Sequence, residues 1–239
     1  MALDKNSNGF TFGFAIAMVV VVGALLSLAA MGLKPFQKGN IEKEKMQNIL
    51  SAINVQVERD NAPEAFESYV KEQVVLNSNG ELKQGDVSAF DIDIKKEYRE
   101  LKAGARSDED MNYPLFICEK EGTTYFVIPL VGTGLWGPIW GFMSIQDDYN
   151  TIYGASFDHK TETPGLGAEI NTAGFQDQFT GDKVYKDGEV AFSVMKGGGG
   201  NESEYGVDGI TGGTITSRGV GEMIQRTMGV YQTYFESQN

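Results

Sequence analysis

From Phe10 to Leu33 the chain carries no charged side chain, and this run includes Met18-Val19-Val20-Val21-Val22. About 20 apolar residues suffice to cross a bilayer as a helix, because the helix satisfies its own backbone polar groups. One transmembrane helix is therefore predicted over residues 10–33, after a short tail at 1–9. A secretory signal would have an apolar core of only about 7–15 residues, and no cysteine follows that could be lipidated, so the helix reads as an uncleaved anchor. No ionisable residue lies within the span to serve an ion path. Lys34, Lys38, Lys43 and Lys45 follow the span, whereas only Lys5 and the terminal amine precede it, opposite Asp4. Lysines gather on the cytoplasmic side of a span, so this count alone would put the rest of the chain in the cytoplasm.

Beyond the span, Ile41, Met46, Ile49, Leu50 and Ile53 recur at helical spacing among charges, which predicts a juxtamembrane helix or stalk over 34–60. The remaining residues, 61–239, suffice for one folded domain in a chain that is 41% apolar and 11% aromatic. A helix is predicted after Asn61 as cap, with Pro63 and Glu64 in its first turn and Phe66, Tyr69, Val70 and Val74 on one face. Strands are predicted at Leu115–Glu119 and Thr124–Leu130 around the Glu121-Gly122 turn, then at Gly141–Ile145 and Thr151–Phe157. A short helix after Thr163-Pro164-Gly165, a strand over Val190–Met195 and a last helix from about Arg218 complete the reading. Its stripe is Val220, Met223, Ile224, Met228, Tyr231 and Phe235. The fold class is α+β: an antiparallel sheet with flanking helices, behind one membrane helix.

Composition excludes several functions. A formal net charge of −13 argues against a nucleic-acid partner, since phosphate binding relies on Lys and Arg. Cys118 is the only cysteine and His159 the only histidine, so one chain cannot build a cysteine-ligated cluster, a structural zinc site or a bis-histidine haem site. No metal site is predicted. Cys118 sits in the apolar run Leu115-Phe116-Ile117-Cys118 and reads as a core thiol. No Gly-x-Gly-x-x-Gly motif links a strand to a helix, so no dinucleotide site is expected.

The segment Asp208-Gly209-Ile210-Thr211-Gly212-Gly213-Thr214-Ile215-Thr216-Ser217 carries the chemistry. Small residues around Thr214 leave its hydroxyl open and let a bulky group approach the backbone. The segment lies just before the last predicted helix, whose N-terminal amides favour a phosphate. On these grounds alone it is an anion site or a turn that caps a helix.

The same residues resemble the Asp-x-x-Ser/Thr-Gly-Ala-Thr pattern of the covalent FMN-binding domain family. That family comprises the C subunit of the sodium-translocating NADH:quinone oxidoreductase and the G subunit of the Rnf complex. The resemblance implies FMN joined by a phosphoester to the hydroxyl of Thr214. It also implies a flavin transferase that reads Asp208, Thr211, Gly212 and Thr214. Gly213 stands where the family has alanine, a change expected to keep access and loosen the loop. Glu162-Thr163-Pro164-Gly165-Leu166-Gly167 is similar to the family's loop against the isoalloxazine ring. It assigns Glu162, Thr163, Gly165, Leu166 and Gly167 to the flavin, with backbone amides expected to meet the ring carbonyls. Thr211, Gly212, Gly213, Ile215 and Thr216 join them around the attachment point. His159, three residues before Glu162, is one position further than the family spacing and is left outside the site.

Val194-Met195-Lys196-Gly197-Gly198 resembles the family's lysine-glycine segment, which implies that Lys196 stabilises negative charge on the reduced ring. Gly134-Leu135-Trp136-Gly137 resembles its Gly-Leu-Trp segment, making Leu135 and Trp136 flavin-proximal or docking residues. Trp136 and Trp140 read equally as core aromatics. Length and the Lys-Gly-Gly segment favour the sodium-pump C subunit over the Rnf G subunit. A membrane-tethered sensor or binding module without flavin is the alternative from another class. The implied role is an electron relay between other subunits of a membrane translocase, from NADH by way of FAD and iron–sulfur centres towards quinone. The relay would have no NADH or quinone site of its own. Both relatives carry FMN on the outer face of the bacterial inner membrane, opposite to the lysine count.

Overall fold

The computed structural model describes residues 7–85 and 87–238, so Asp4 and Lys5 of the expected tail lie outside the described residues. The chain falls into two units, one ending at Lys45 and one beginning at Met46.

The first unit consists of most of helix α1, which runs Asn8–Ala52. It is long and apolar enough to cross a membrane, and none of its most apolar stretch is buried within the chain. Val19, Leu26 and Met31 are each exposed. A core helix would bury such side chains, so their exposure matches a helix solvated by lipid. The stretch expected as a separate stalk is helical without a break to Ala52, with Pro35 inside the helix.

The second unit is built on a five-stranded antiparallel meander, β1 (Val70–Leu76), β2 (Tyr113–Lys120), β3 (Thr123–Thr133), β4 (Pro138–Ile145) and β5 (Ile152–His159), in that spatial order. Both predicted hairpins are present, with pairs such as Phe116 to Val127 and Met143 to Ala155. Alternation sends successive side chains to opposite faces, and both faces are covered. On one, Leu115, Ile128, Leu130, Ile139 and Met143 pack with helix α5 (Thr214–Glu236) through Val220, Met223, Ile224, Met228, Tyr231 and Phe235. On the other, Phe116, Cys118, Val127 and Phe142 pack with Ile49, Leu50, Ala52 and Ile53 and with Phe66 of helix α2 (Ala62–Tyr69). The last turn of α1 is tied to the sheet: Lys120 Nζ donates to the carbonyls of Ile53 (3.0 Å) and Asn54 (3.3 Å), a cation at a helix C-terminus. Cys118 is fully buried, and desolvation pushes its thiol up to about 12, which keeps it protonated and inert.

Four expectations change. Val70 and Val74 are not on a helix: α2 ends at Tyr69, and both valines pair in β1 with Cys118 and Leu115. Asn61 makes no capping side-chain bond, and Pro63 marks the helix start instead. The strand expected over Val190–Met195 is divided into β7 (Glu189–Val190), which pairs with β6 (Tyr185–Lys186), and β8 (Ser193–Met195), which pairs in parallel with β9 (Gly206–Asp208). Between them Ala191 and Phe192 both donate to Val184 O, and the Phe192 ring is fully buried. Helix α5 begins at Thr214, four residues before the expected Arg218. At Gly219 it passes so close to β3 that a Cβ there would lie 2.2 Å from the Thr133 carbonyl oxygen. Glycine at this point lets the start of α5 reach the β3–β4 turn.

The polar stretch from Asn77 to Asp110 holds helix α3 (Ile94–Lys102), capped by the Asp93 carboxylate on Lys96 N, and the short helix expected after Thr163-Pro164-Gly165 is a 3-10 turn at Gly167–Asn171 followed by α4 (Ala173–Gln176).

Candidate functional site

Three segments remote in sequence converge near the start of α5: the β3–β4 turn at 134–137, the loop after β5 at 160–167, and the approach to α5 from Ile210. Glu162 joins them. Its side chain is only 5% exposed, and its Oε1 accepts from Trp136 N at 2.8 Å while Oε2 accepts from Thr216 Oγ1 at 2.7 Å. Its own N–H donates to His159 Nδ1 at 3.2 Å. No cation pairs with Glu162 among the described residues, so these donors compensate the burial of the carboxylate. A Cβ at Gly167 would lie 2.5 Å from both Glu162 Oε2 and Thr216 Oγ1. Glycine there lets the loop close over the carboxylate.

Thr214 is the first residue of α5, preceded by Gly213 as N-cap without a side-chain cap bond. The first-turn amides of a helix have no intrahelical acceptor and form the positive end of its dipole, a site suited to a phosphate. The hydroxyls of this segment divide sharply. Thr216 Oγ1 is committed to Glu162, and Ser217 Oγ accepts from Ile210 N at 2.9 Å. Thr214 is half-buried and its hydroxyl has no hydrogen bond among the described residues, while Thr211 and Gly212 are exposed. Gly213 is buried: a Cβ there would come 3.0 Å from Ile210 Cγ2 and 3.3 Å from Gly167 N. The glycine is packed rather than loose, which differs from the expectation for an Ala-to-Gly change.

Each segment also presents apolar side chains to solvent. Leu135 is 51% and Trp136 65% exposed on the turn, Leu166 41% on the loop, and Ile215 46% on α5. Trp136 is thus no core residue, whereas Trp140 is half-buried with Lys95 Nζ 3.9 Å over its ring. The amides expected to serve a ring are largely engaged within the loop. Leu166 N and Ala168 N both donate to Thr163 O at 3.1 Å, and Gly165 N donates to Glu169 Oε1 at 2.9 Å. A tight turn around Pro164 closes on itself, leaving side chains rather than amides as its outer surface. Lys196 is exposed in the turn after β8. The Asp208 carboxylate accepts from Gly200 N and Asn201 Nδ2. Among the described residues no cluster of His, Cys, Asp and Glu could hold a metal ion.

His159 thus belongs to the framework of the site, although its spacing from Glu162 departs from the family's. The signal in the sequence is that the chain's single histidine stands three residues before Glu162.

Residues 134–229, which contain all three segments and most of α5, match the family model of the FMN-binding domain. Fold and site together define a flavin-binding domain behind an apolar helix. The chain is 30% identical over 230 residues to the C subunit of the Na(+)-translocating NADH-quinone reductase of Vibrio alginolyticus, covering 92% of this chain and 90% of that one. It is 31% identical over 232 residues to its counterpart from Vibrio anguillarum, with the same coverage. The crystal structure of the counterpart from Parabacteroides distasonis superposes with a TM-score of 0.75 at 41% identity, covering 87% of this chain and 98% of that chain. The chain belongs to the family formed by the C subunits of Na(+)-translocating NADH-quinone reductases.

Proposed function

We propose that this chain is the electron-carrying C subunit of a sodium-translocating NADH:quinone reductase. Its FMN is esterified through the phosphate to Thr214, and residues 10–33 anchor it in the membrane. The observation that carries the attachment site is the free hydroxyl of Thr214 at an uncapped helix start, beside two hydroxyls already bound. The residues present fit FMN. The amides of the first turn of α5 suit the phosphate charge, while Leu135, Trp136, Leu166 and Ile215 offer apolar surface to the ring. FMN supplies one- and two-electron chemistry when bound; the protein supplies attachment, orientation and charge.

Attachment needs an activated phosphate. A flavin transferase would bring Thr214 Oγ to the FMN phosphorus of a flavin dinucleotide. The Oγ–P bond forms as the pyrophosphate bond breaks, a nucleoside monophosphate leaves, and the hydroxyl proton passes to the transferase or solvent. Intact-mass spectrometry of protein matured with that transferase is expected to show one added FMN moiety on the peptide containing Thr214. An unmodified mass under those conditions refutes the attachment.

The domain is assigned to the outer face of the membrane, on the strength of the family and against the lysine count after Leu33. A protease added to the outer face of spheroplasts is expected to digest the domain at Lys and Arg. Digestion only in inverted vesicles would place it in the cytoplasm. Lys196 is read as a cation near the flavin, favouring its more negative reduced forms. Lys196→Ala is therefore expected to lower the flavin midpoint potential at unchanged flavin content, as measured by redox titration of the purified protein. An unchanged potential would place Lys196 outside the field of the ring.

A further inference from the structure

Asp208, which the resemblance assigns to the transferase, has both carboxylate oxygens engaged by its own chain. Oδ1 accepts from Gly200 N at 2.7 Å and Oδ2 from Asn201 Nδ2 at 3.1 Å, while its N–H donates to Gln178 Oε1 at 3.0 Å. Asp208 ends β9 and pairs there with Met195, the last residue of β8. The connection leaving Met195 is Lys196-Gly197-Gly198-Gly199, and its three glycines take φ of +87°, +94° and +90°. Glycines lose more backbone freedom on ordering than other residues, so a run of three is held in place by its contacts. Its near end is tied by Gly209 N to Met195 O at 2.8 Å. Its far end is tied by the Asp208 carboxylate, with Gly200 pressed so flat on β9 that a Cβ there would lie 2.1 Å from the Val207 carbonyl carbon. The same strand continues into Ile210, which accepts from Gly213 N and donates to Ser217 Oγ at the start of α5. The Lys196 loop and the Thr214 hydroxyl are thus fixed to one short stretch of backbone.

We propose that Asp208 acts in flavin attachment as a positioning residue: its carboxylate closes the Lys196–Gly200 loop and so sets the surface that surrounds Thr214. This rests on the assignment of Thr214 as the attachment point. A charge-assisted hydrogen bond to a backbone N–H is strong and directional, which suits a carboxylate to pinning a glycine loop.

Asparagine at 208 keeps an oxygen for Gly200 N, and Asn201 can turn its amide to meet the new NH2 group; alanine keeps neither contact. The test uses the full-length chain in membranes with flavin transferase and a flavin dinucleotide. It follows attached flavin by intact mass and exchange of the Gly200 amide by hydrogen–deuterium exchange. Asp208→Asn is expected to attach flavin within about threefold of the wild-type rate with the Gly200 amide still protected, because one hydrogen bond to it survives. Asp208→Ala is expected to speed Gly200 exchange and slow attachment by about tenfold or more each, the scale of a lost bond to a charged group. If Asp208→Asn is as deficient as Asp208→Ala while Gly200 remains protected, the transferase reads the charge itself and the proposal is overturned. Wild-type attachment by Asp208→Ala overturns it equally. A wild-type chain that takes up no flavin refutes instead the Thr214 assignment on which the proposal rests.

Discussion

Thr214→Ala is expected to give a folded protein without covalent flavin. The hydroxyl is the only part of this side chain that a phosphoester requires, and it has no hydrogen bond within the described residues to lose. Alanine is also favoured within helices, so removing this oxygen at the first position of α5 should change stability by less than about 1 kcal/mol. Intact-mass spectrometry then shows the bare chain, while circular dichroism and thermal unfolding match the wild type. Thr214→Ser keeps the nucleophilic oxygen and should retain partial attachment. Thr211→Ala is the matched control, since Thr211 is exposed and should leave the flavin in place. Thr216→Ala is not such a control: its hydroxyl donates to the buried Glu162, and its loss strips that carboxylate of a donor. Attachment that survives Thr214→Ala would remove the assignment.

Glu162→Ala should be the most damaging substitution at the site. It removes the acceptor of Trp136 N and of the fully buried Thr216 hydroxyl, and it empties the space over which Gly134 and Gly167 close. Hydrogen bonds to a charged group contribute about 1.5–3 kcal/mol, so a destabilisation of about 3 kcal/mol is expected after partial relaxation. Glu162→Gln keeps one acceptor oxygen, and its NH2 can donate to a reoriented Thr216 hydroxyl, so its cost should be about 1 kcal/mol. Urea unfolding of each variant, followed by the fluorescence of Trp136 and Trp140, the only two tryptophans, measures both costs. Loss of attached flavin should follow the same order, because Glu162 holds the loop and the start of α5 together. A Glu162→Ala protein within about 1 kcal/mol of wild type would show that the three segments are held by apolar packing instead.

The features that depend on neighbours along the chain are legible without the fold. The charge-free run at 10–33 makes a helix whatever surrounds it, and the stripe from Val220 to Phe235 buries the face its spacing announces. The Glu121-Gly122 turn joins the hairpin expected of it, with both residues at positive φ. The resemblance of residues 208–217 marked Thr214, but not why that oxygen differs from those of Thr216 and Ser217. That difference arises on folding, because the acceptor of Thr216 lies 54 residues away and the Trp136 amide that shares it lies 26 residues from Glu162. Distance along the chain also explains Val70 and Val74: helical spacing is a local signal, and pairing with Cys118 and Leu115 outweighed it once β2 was in place. The engaged loop amides have the same origin in another form. A motif shows which residues form a turn, but whether its N–H groups face inward or outward depends on how the turn closes and which acceptors lie within reach.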